Sequence, residues 1–178
     1  MPHGGRLPAL GGGFGAVVVV GMHAMSGTPR AFLEHTVDPD WHRYRIDGVD
    51  RGEFALVAYT ASACGVPTVF VCGDRAAVEE ARALVPGIEA VAVKEGLARD
   101  WCRSVAPAAA HERIRAGVAR ALARRAEIAP PALTFPASIR LEFNRCSGAD
   151  AFDGRRGIWR LDGFSIDWTA HDSSGLVP

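Results

Sequence analysis

The run Ala16-Val-Val-Val-Val20, followed at once by Gly21-Met-His-Ala24, constrains this chain more than any other segment. Consecutive β-branched residues are stiff at χ1 and favour extended backbone. An unbroken apolar run reads as a strand buried on both faces, as parallel sheets require. His23 then lies just past the carboxyl end of a central strand, where open α/β sheets place ligands.

The rest of the chain extends that pattern. Trp41 to Ile46 alternates and reads as a strand, and Asp47-Gly48 is a turn pair. Gly52 to Cys64 is small and apolar nearly all round, which marks a buried helix. Thr68 to Cys72 is a second buried strand, Asp74 is placed to cap a helix over Arg75 to Leu84, and Ala90 to Val93 is a third short strand. Strand, helix, strand, helix, strand is a βαβ series. A long helix over Pro107 to Glu127 closes at Pro130-Pro131. Ser138 to Phe143 then alternates as a strand, and Gly157 to Leu161 with Phe164 to Thr169 forms a hairpin around Asp162-Gly163. The expected fold is α/β, with a mostly parallel sheet, flanking helices and a small β-rich C-terminal section. The expected divisions are a loose glycine-rich tail over 1–13, an α/β portion over 14–129, and the β-rich section over 130–178.

Composition narrows the function by exclusion. Hydrophobic residues make up 48% and charged residues 22% of 178, so the chain builds a globular core. Twenty basic and twenty acidic side chains cancel, leaving no bulk field for nucleic acid or an anionic membrane. No run reaches the length of a membrane span, and the start has neither the charged nor the apolar region of a signal peptide. Cys64, Cys72, Cys102 and Cys146 form no CxxC or zinc-finger spacing, and read as buried free thiols in a reducing cytoplasm.

Three residues stand out as chemistry. His23 follows a strand, His35 lies in the next loop, and Glu53 opens the buried helix. Imidazole and carboxylate are the usual zinc donors where thiolate is absent, and an unligated His serves as general acid or base. Their spacing matches no short zinc signature. A core His, a surface His and a carboxylate favoured by the helix dipole account for the same residues.

The wider pattern carries more. GMHAMSGTPRAFLEHT, then DGVDRGEFALVAYTASACGVPTVFVCGD, then AVKEGLAR resemble the DppA-type D-aminopeptidases, a family of zinc metallopeptidases, from about Phe14 to Thr169. The resemblance implies a hydrolase that removes N-terminal D-amino acids from short peptides, with two zinc ions, in a ring-shaped homo-oligomer of ten subunits. It implies that His23 ligates one zinc and Glu53 the other, and that His35 is catalytic. The loop from His23 to His35 is one residue longer than in the family member compared.

Two family motifs, D-x-E on the first strand and N-D-S-H further along, do not occur in this sequence, and His171 to Pro178 stands where the family has its last helix. Those motifs supply an Asp that bridges both metals, a Glu and another His. The chain therefore corresponds to the middle and rear of the enzyme. The expectation is a truncated form, weak or inactive alone; the alternative is a non-catalytic, oligomer-forming or peptide-binding relative. Lys94 and Arg99, past a strand end, are further candidates for holding a substrate carboxylate, and Asn144 for facing the pocket.

Overall fold

A computed structural model describes residues 7, 10 and 13–178; most of the tail expected over 1–13 lies outside the described residues. Along the chain run β1 (Val17–Met22), β2 (Trp41–Ile46), β3 (Val49–Asp50), α1 (Glu53–Ala63), β4 (Thr68–Asp74), α2 (Arg75–Leu84), β5 (Glu89–Ala98) and β6 (Trp101–Ser104). Then follow α3 (Pro107–Ala123), β7 (Ala137–Phe143), the short α4 (Cys146–Asp150), β8 (Ile158–Arg160) and β9 (Ser165–Ala170).

These strands form two sheets. The first has the order β1-β4-β5-β6, with β1, β4 and β5 parallel and β6 antiparallel at the edge. α2 and α3 pack on β4 and β5. Every residue of β4 is buried, as an apolar run between two neighbours and under helices should be. β1 corrects the sequence expectation. It is an edge strand, not a central one, and Val20 is 62% exposed. Its only partner among the described residues is β4. Val19 and Met22 lean on the Phe54, Val69 and Phe70 cluster, while Val18 and Val20 face outward.

The second sheet is antiparallel, in the order β3-β2-β7-β9-β8. The strands expected near the C-terminus thus share a sheet with residues 41–50. The reason is apolar: Trp41, Tyr44 and Ile46 pack with Ile139, Leu141, Phe143, Ile166 and Trp168. Strict alternation would put Trp41 and Tyr44 on opposite faces. A bulge between Trp41 and Arg43 brings both inward. The Tyr44 hydroxyl donates to the Leu176 carbonyl at 2.5 Å, and burial pushes its phenol far above the usual range.

α1 lies between the two apolar clusters, which explains why it has no polar face. Ala55, Leu56 and Tyr59 belong to the cluster of the antiparallel sheet, and Phe54 and Ala58 to that of the parallel sheet. Its first residue, Glu53, is therefore set at the seam. β5 runs longer than the expected Ala90 to Val93 because its second half turns back on the unforeseen β6. Of Cys64, Cys72 and Cys102, the thiols in apolar stretches, only Cys72 is buried; Cys64 is exposed and Cys102 half-buried, and Cys146 is exposed. No described helix is long and apolar enough to cross a membrane.

Candidate metal centre

His23 follows β1 directly, and β1 ends beside the carboxyl end of β4, so the imidazole stands over the open end of the parallel sheet. Close backbone approach fixes that end. A Cβ at Gly73 would fall 1.9 Å from the Met22 carbonyl oxygen, so only glycine lets β1 finish where it does. The loop carrying His35 is held as tightly. A Cβ at Gly96 would fall 2.4 Å from the Arg30 carbonyl oxygen. Arg30, Leu33 and Val37 have φ of 55°, 54° and 62°. Left-handed backbone at a β-branched residue is strained, and surrounding contacts must over-determine it. At Val37 the contact is direct: its amide donates to Glu53 Oε2 at 2.8 Å.

Asp74 joins the loop to the sheet. One carboxylate oxygen caps α2 through the Ala77 amide at 2.8 Å, and the other accepts from the Phe32 amide at 2.7 Å. Asp74→Ala is expected to cost about 2–3 kcal/mol, a lost cap plus an amide deprived of its acceptor. Asp74→Asn, which keeps an acceptor oxygen for the cap, should lose less. Urea unfolding of both variants checks this; an alanine variant within 0.5 kcal/mol of the parent, by the same scale of cap energies, contradicts it.

At the centre, His23 Nε2 lies 3.2 Å and His35 Nε2 3.6 Å from Glu53 Oε2. Glu53 is 8% exposed. The opposite ring nitrogens face backbone carbonyls: His23 Nδ1 is 3.1 Å from Ala24 O, and His35 Nδ1 is 2.7 Å from Leu33 O. A carbonyl only accepts, so each Nδ1 carries the hydrogen and Nε2 is the ring atom left toward the carboxylate. Three electron-rich atoms within 4.8 Å of one another call for a cation between them, a proton on a ring or a metal ion. The carbonyl-anchored Nδ1–H with Nε2 inward is the usual outer-shell arrangement of a metal-binding histidine.

The spacing fits zinc. Donors at about 2.0–2.1 Å on a tetrahedral ion lie about 3.3 Å apart, close to the 3.2 Å between His23 and Glu53. The two imidazole rings are stacked, 3.6 Å between centroids and 15° between planes. His35 is the most open of the three, with a side chain 32% exposed against 19% for His23.

Comparison with known proteins gives the family and the fold. The family model Peptidase_M55, described as D-aminopeptidase, matches residues 7–177. The chain belongs to the D-aminopeptidase family. The D-aminopeptidase of Bacillus subtilis (strain 168) is 30% identical over 117 residues, which are 66% of this chain and 42% of that relative. This chain therefore spans less than half of that relative's length. A solved structure, a Zn-dependent D-aminopeptidase (DppA) from Bacillus subtilis described as a self-compartmentalizing protease, superposes with a TM-score of 0.90 at 24% identity. It covers 96% of this chain, which in turn covers 62% of it; the likeness shows the shared fold.

Within this D-aminopeptidase fold, the other sequence candidates do not join the cluster. Lys94 lies over the Phe32 ring at 5.1 Å, Arg99 pairs with Glu34 at 2.8 Å, and the Asn144 side chain donates to the Pro39 carbonyl at 3.1 Å. Sequence reasoning missed Glu80. Its Oε2 accepts from the Met25 amide at 2.9 Å, and its other oxygen packs against Gly52, where a Cβ would fall 2.3 Å away. One side chain in α2 thus touches the loop after His23 and the residue before Glu53. An acidic residue in an amphipathic helix carries no sequence signal for such a contact.

Burial pushes the Glu80 carboxyl above its ordinary 4.5, and the Met25 amide pulls back less. A carboxyl whose folded pKa is raised favours the fold most below its unfolded pKa, and that contribution is lost as pH rises through the folded value. Glu80→Gln stays neutral at all pH. Relative to the parent, it is therefore expected to gain stability between pH 4 and pH 8. Melting temperatures of both proteins across that range test this; a constant difference contradicts it.

Proposed function

We propose that this chain carries the metal centre of a zinc-dependent, D-stereospecific aminopeptidase that hydrolyses short D-amino-acid peptides. The single observation behind this reading is the convergence of two imidazole Nε2 atoms on a buried carboxylate oxygen. His23 and Glu53 stand as metal donors, in a centre expected to hold two zinc ions. Zinc there supplies Lewis-acid polarisation of the scissile carbonyl and a water acidic enough to attack it.

The chain's own residues do the rest. The Ala24 and Leu33 carbonyls fix both ring orientations. The Val37 amide holds Glu53 Oε2 in place. His35, stacked on His23 and most open to solvent, is the catalytic residue of this reading: it would exchange protons with the bound peptide at Nε2. The reading extends to a homo-oligomer, supported by Trp159, Leu161 and Phe164, which stand 59%, 47% and 51% exposed around the β8–β9 hairpin.

The test is release of p-nitroaniline from D-alanine p-nitroanilide, with the L-isomer as control. With the D-x-E and N-D-S-H donors absent, turnover of the D-isomer is expected to be weak at most, and whatever turnover there is should need zinc and be lost on chelation and in His23→Ala. Turnover that survives chelation or His23→Ala, or a protein that takes up no zinc by calorimetry, overturns the reading.

A further inference from the structure

We propose that the cleft between α1, α2 and the loop 25–29 is a second binding site, one that takes a small zwitterion: a free amino acid or short peptide with its carboxylate on Arg51. The cleft has a volume of about 420 Å³ and includes none of His23, His35 and Glu53. That volume is in the range of small-molecule sites, whose walls are mostly apolar with a few charged groups. Here Met25, Pro29 and Leu84 supply apolar wall, Arg51 the cation, and Glu79 and Glu80 the anions.

Arg51 carries the argument. Its Nε is buried and has no hydrogen-bond partner, and among the described residues its guanidinium makes no ion pair. The nearest acid in sequence, Asp50, is already engaged by Arg45 at 2.9 Å. Arg51 lines both this cleft and an adjoining one of about 290 Å³. The Arg51 guanidinium, which makes no hydrogen-bonded ion pair although Glu80 lies within electrostatic range, is matched by a ligand carboxylate, which it binds through two parallel N–H···O bonds. The opposite end of the ligand meets the opposite sign. Glu80 packs against Gly52 at the wall of the cleft, and Glu79 stands exposed beside it. A cation and two carboxylates on one apolar wall fit an α-ammonium and a carboxylate on the same small molecule.

This inference does not require hydrolysis, and its test is run without zinc. D-alanyl-D-alanine is titrated calorimetrically into the chelator-treated protein, then into Arg51→Met, which keeps the stem and removes the charge. Saturable uptake by the parent, weakened about tenfold or more in the variant, is expected for a lost charge-assisted pair. D-alanyl-D-alanine amide, which lacks the carboxylate, should bind the unaltered protein equally weakly, whatever the variant does to folding. Equal affinity for the acid and the amide, no uptake at all, or uptake only with zinc present overturns the proposal. Zinc binding without zinc-free uptake of the dipeptide sinks this site alone; uptake of the dipeptide by a protein that binds no zinc sinks the aminopeptidase reading alone.

Discussion

Replacing Glu53 by glutamine is expected to lower zinc affinity by at least about a hundredfold while leaving the chain folded. The substitution preserves shape. A glutamine carbonyl still accepts from the Val37 amide that now sits 2.8 Å from Oε2, so the strained loop keeps its anchor. What disappears is the negative charge toward which both imidazole Nε2 atoms point at 3.2 and 3.6 Å. A neutral amide is a poor zinc ligand, so the substitution removes the charged donor while keeping the shape. Calorimetric zinc titration with circular dichroism separates the two effects. Affinity within a few-fold of the parent, with the fold intact, contradicts the role of Glu53 as donor.

Gly73→Ala is expected to be the most damaging small substitution near the site. Its Cβ would lie 1.9 Å from the Met22 carbonyl oxygen and 2.8 Å from the Met22 carbonyl carbon. These are backbone atoms of a paired strand, so no side-chain rotation relieves the clash. Overpacking a rigid interior costs about 1–3 kcal/mol, and a backbone clash belongs at the upper end or beyond. At roughly 2–4 °C per kcal/mol for a chain of this size, the melting temperature should fall by about 6–12 °C. Because Met22 precedes His23, zinc affinity should fall as well. A variant that melts within about 2 °C of the parent shows that β1 yields without cost, and removes the reason for glycine there.

The sequence made the parallel core legible because its signals are local. The β-branched run at Val17 to Val20, the cap at Asp74 and the all-apolar helix after Gly52 each specify an element without reference to distant residues. The three candidate residues could be singled out from the sequence, His23 by its place after a strand, His35 in the loop that follows and Glu53 at a helix start, and the structure brings their donor atoms within 4.8 Å of one another. Edge position was not legible. An apolar strand reads the same whether one neighbour or two lie beside it, so β1 was expected at the centre. Nor was the sharing of a sheet by β2 and β7, residues about a hundred apart in sequence that meet only because their apolar faces match. The contacts of Glu80 and the unbonded Nε of Arg51 depend on three segments at once, and no spacing rule reaches them.

The account rests on a cation lying where His23 Nε2 and Glu53 Oε2 meet. The most direct test is a crystal of the full chain grown with zinc and measured on both sides of the zinc absorption edge. An anomalous peak about 2.0–2.1 Å from both atoms, with the Ala24 and Leu33 carbonyls still on the Nδ1 hydrogens, is the expected result. A clean map at that position, with His23 and Glu53 bonded only to each other, contradicts it.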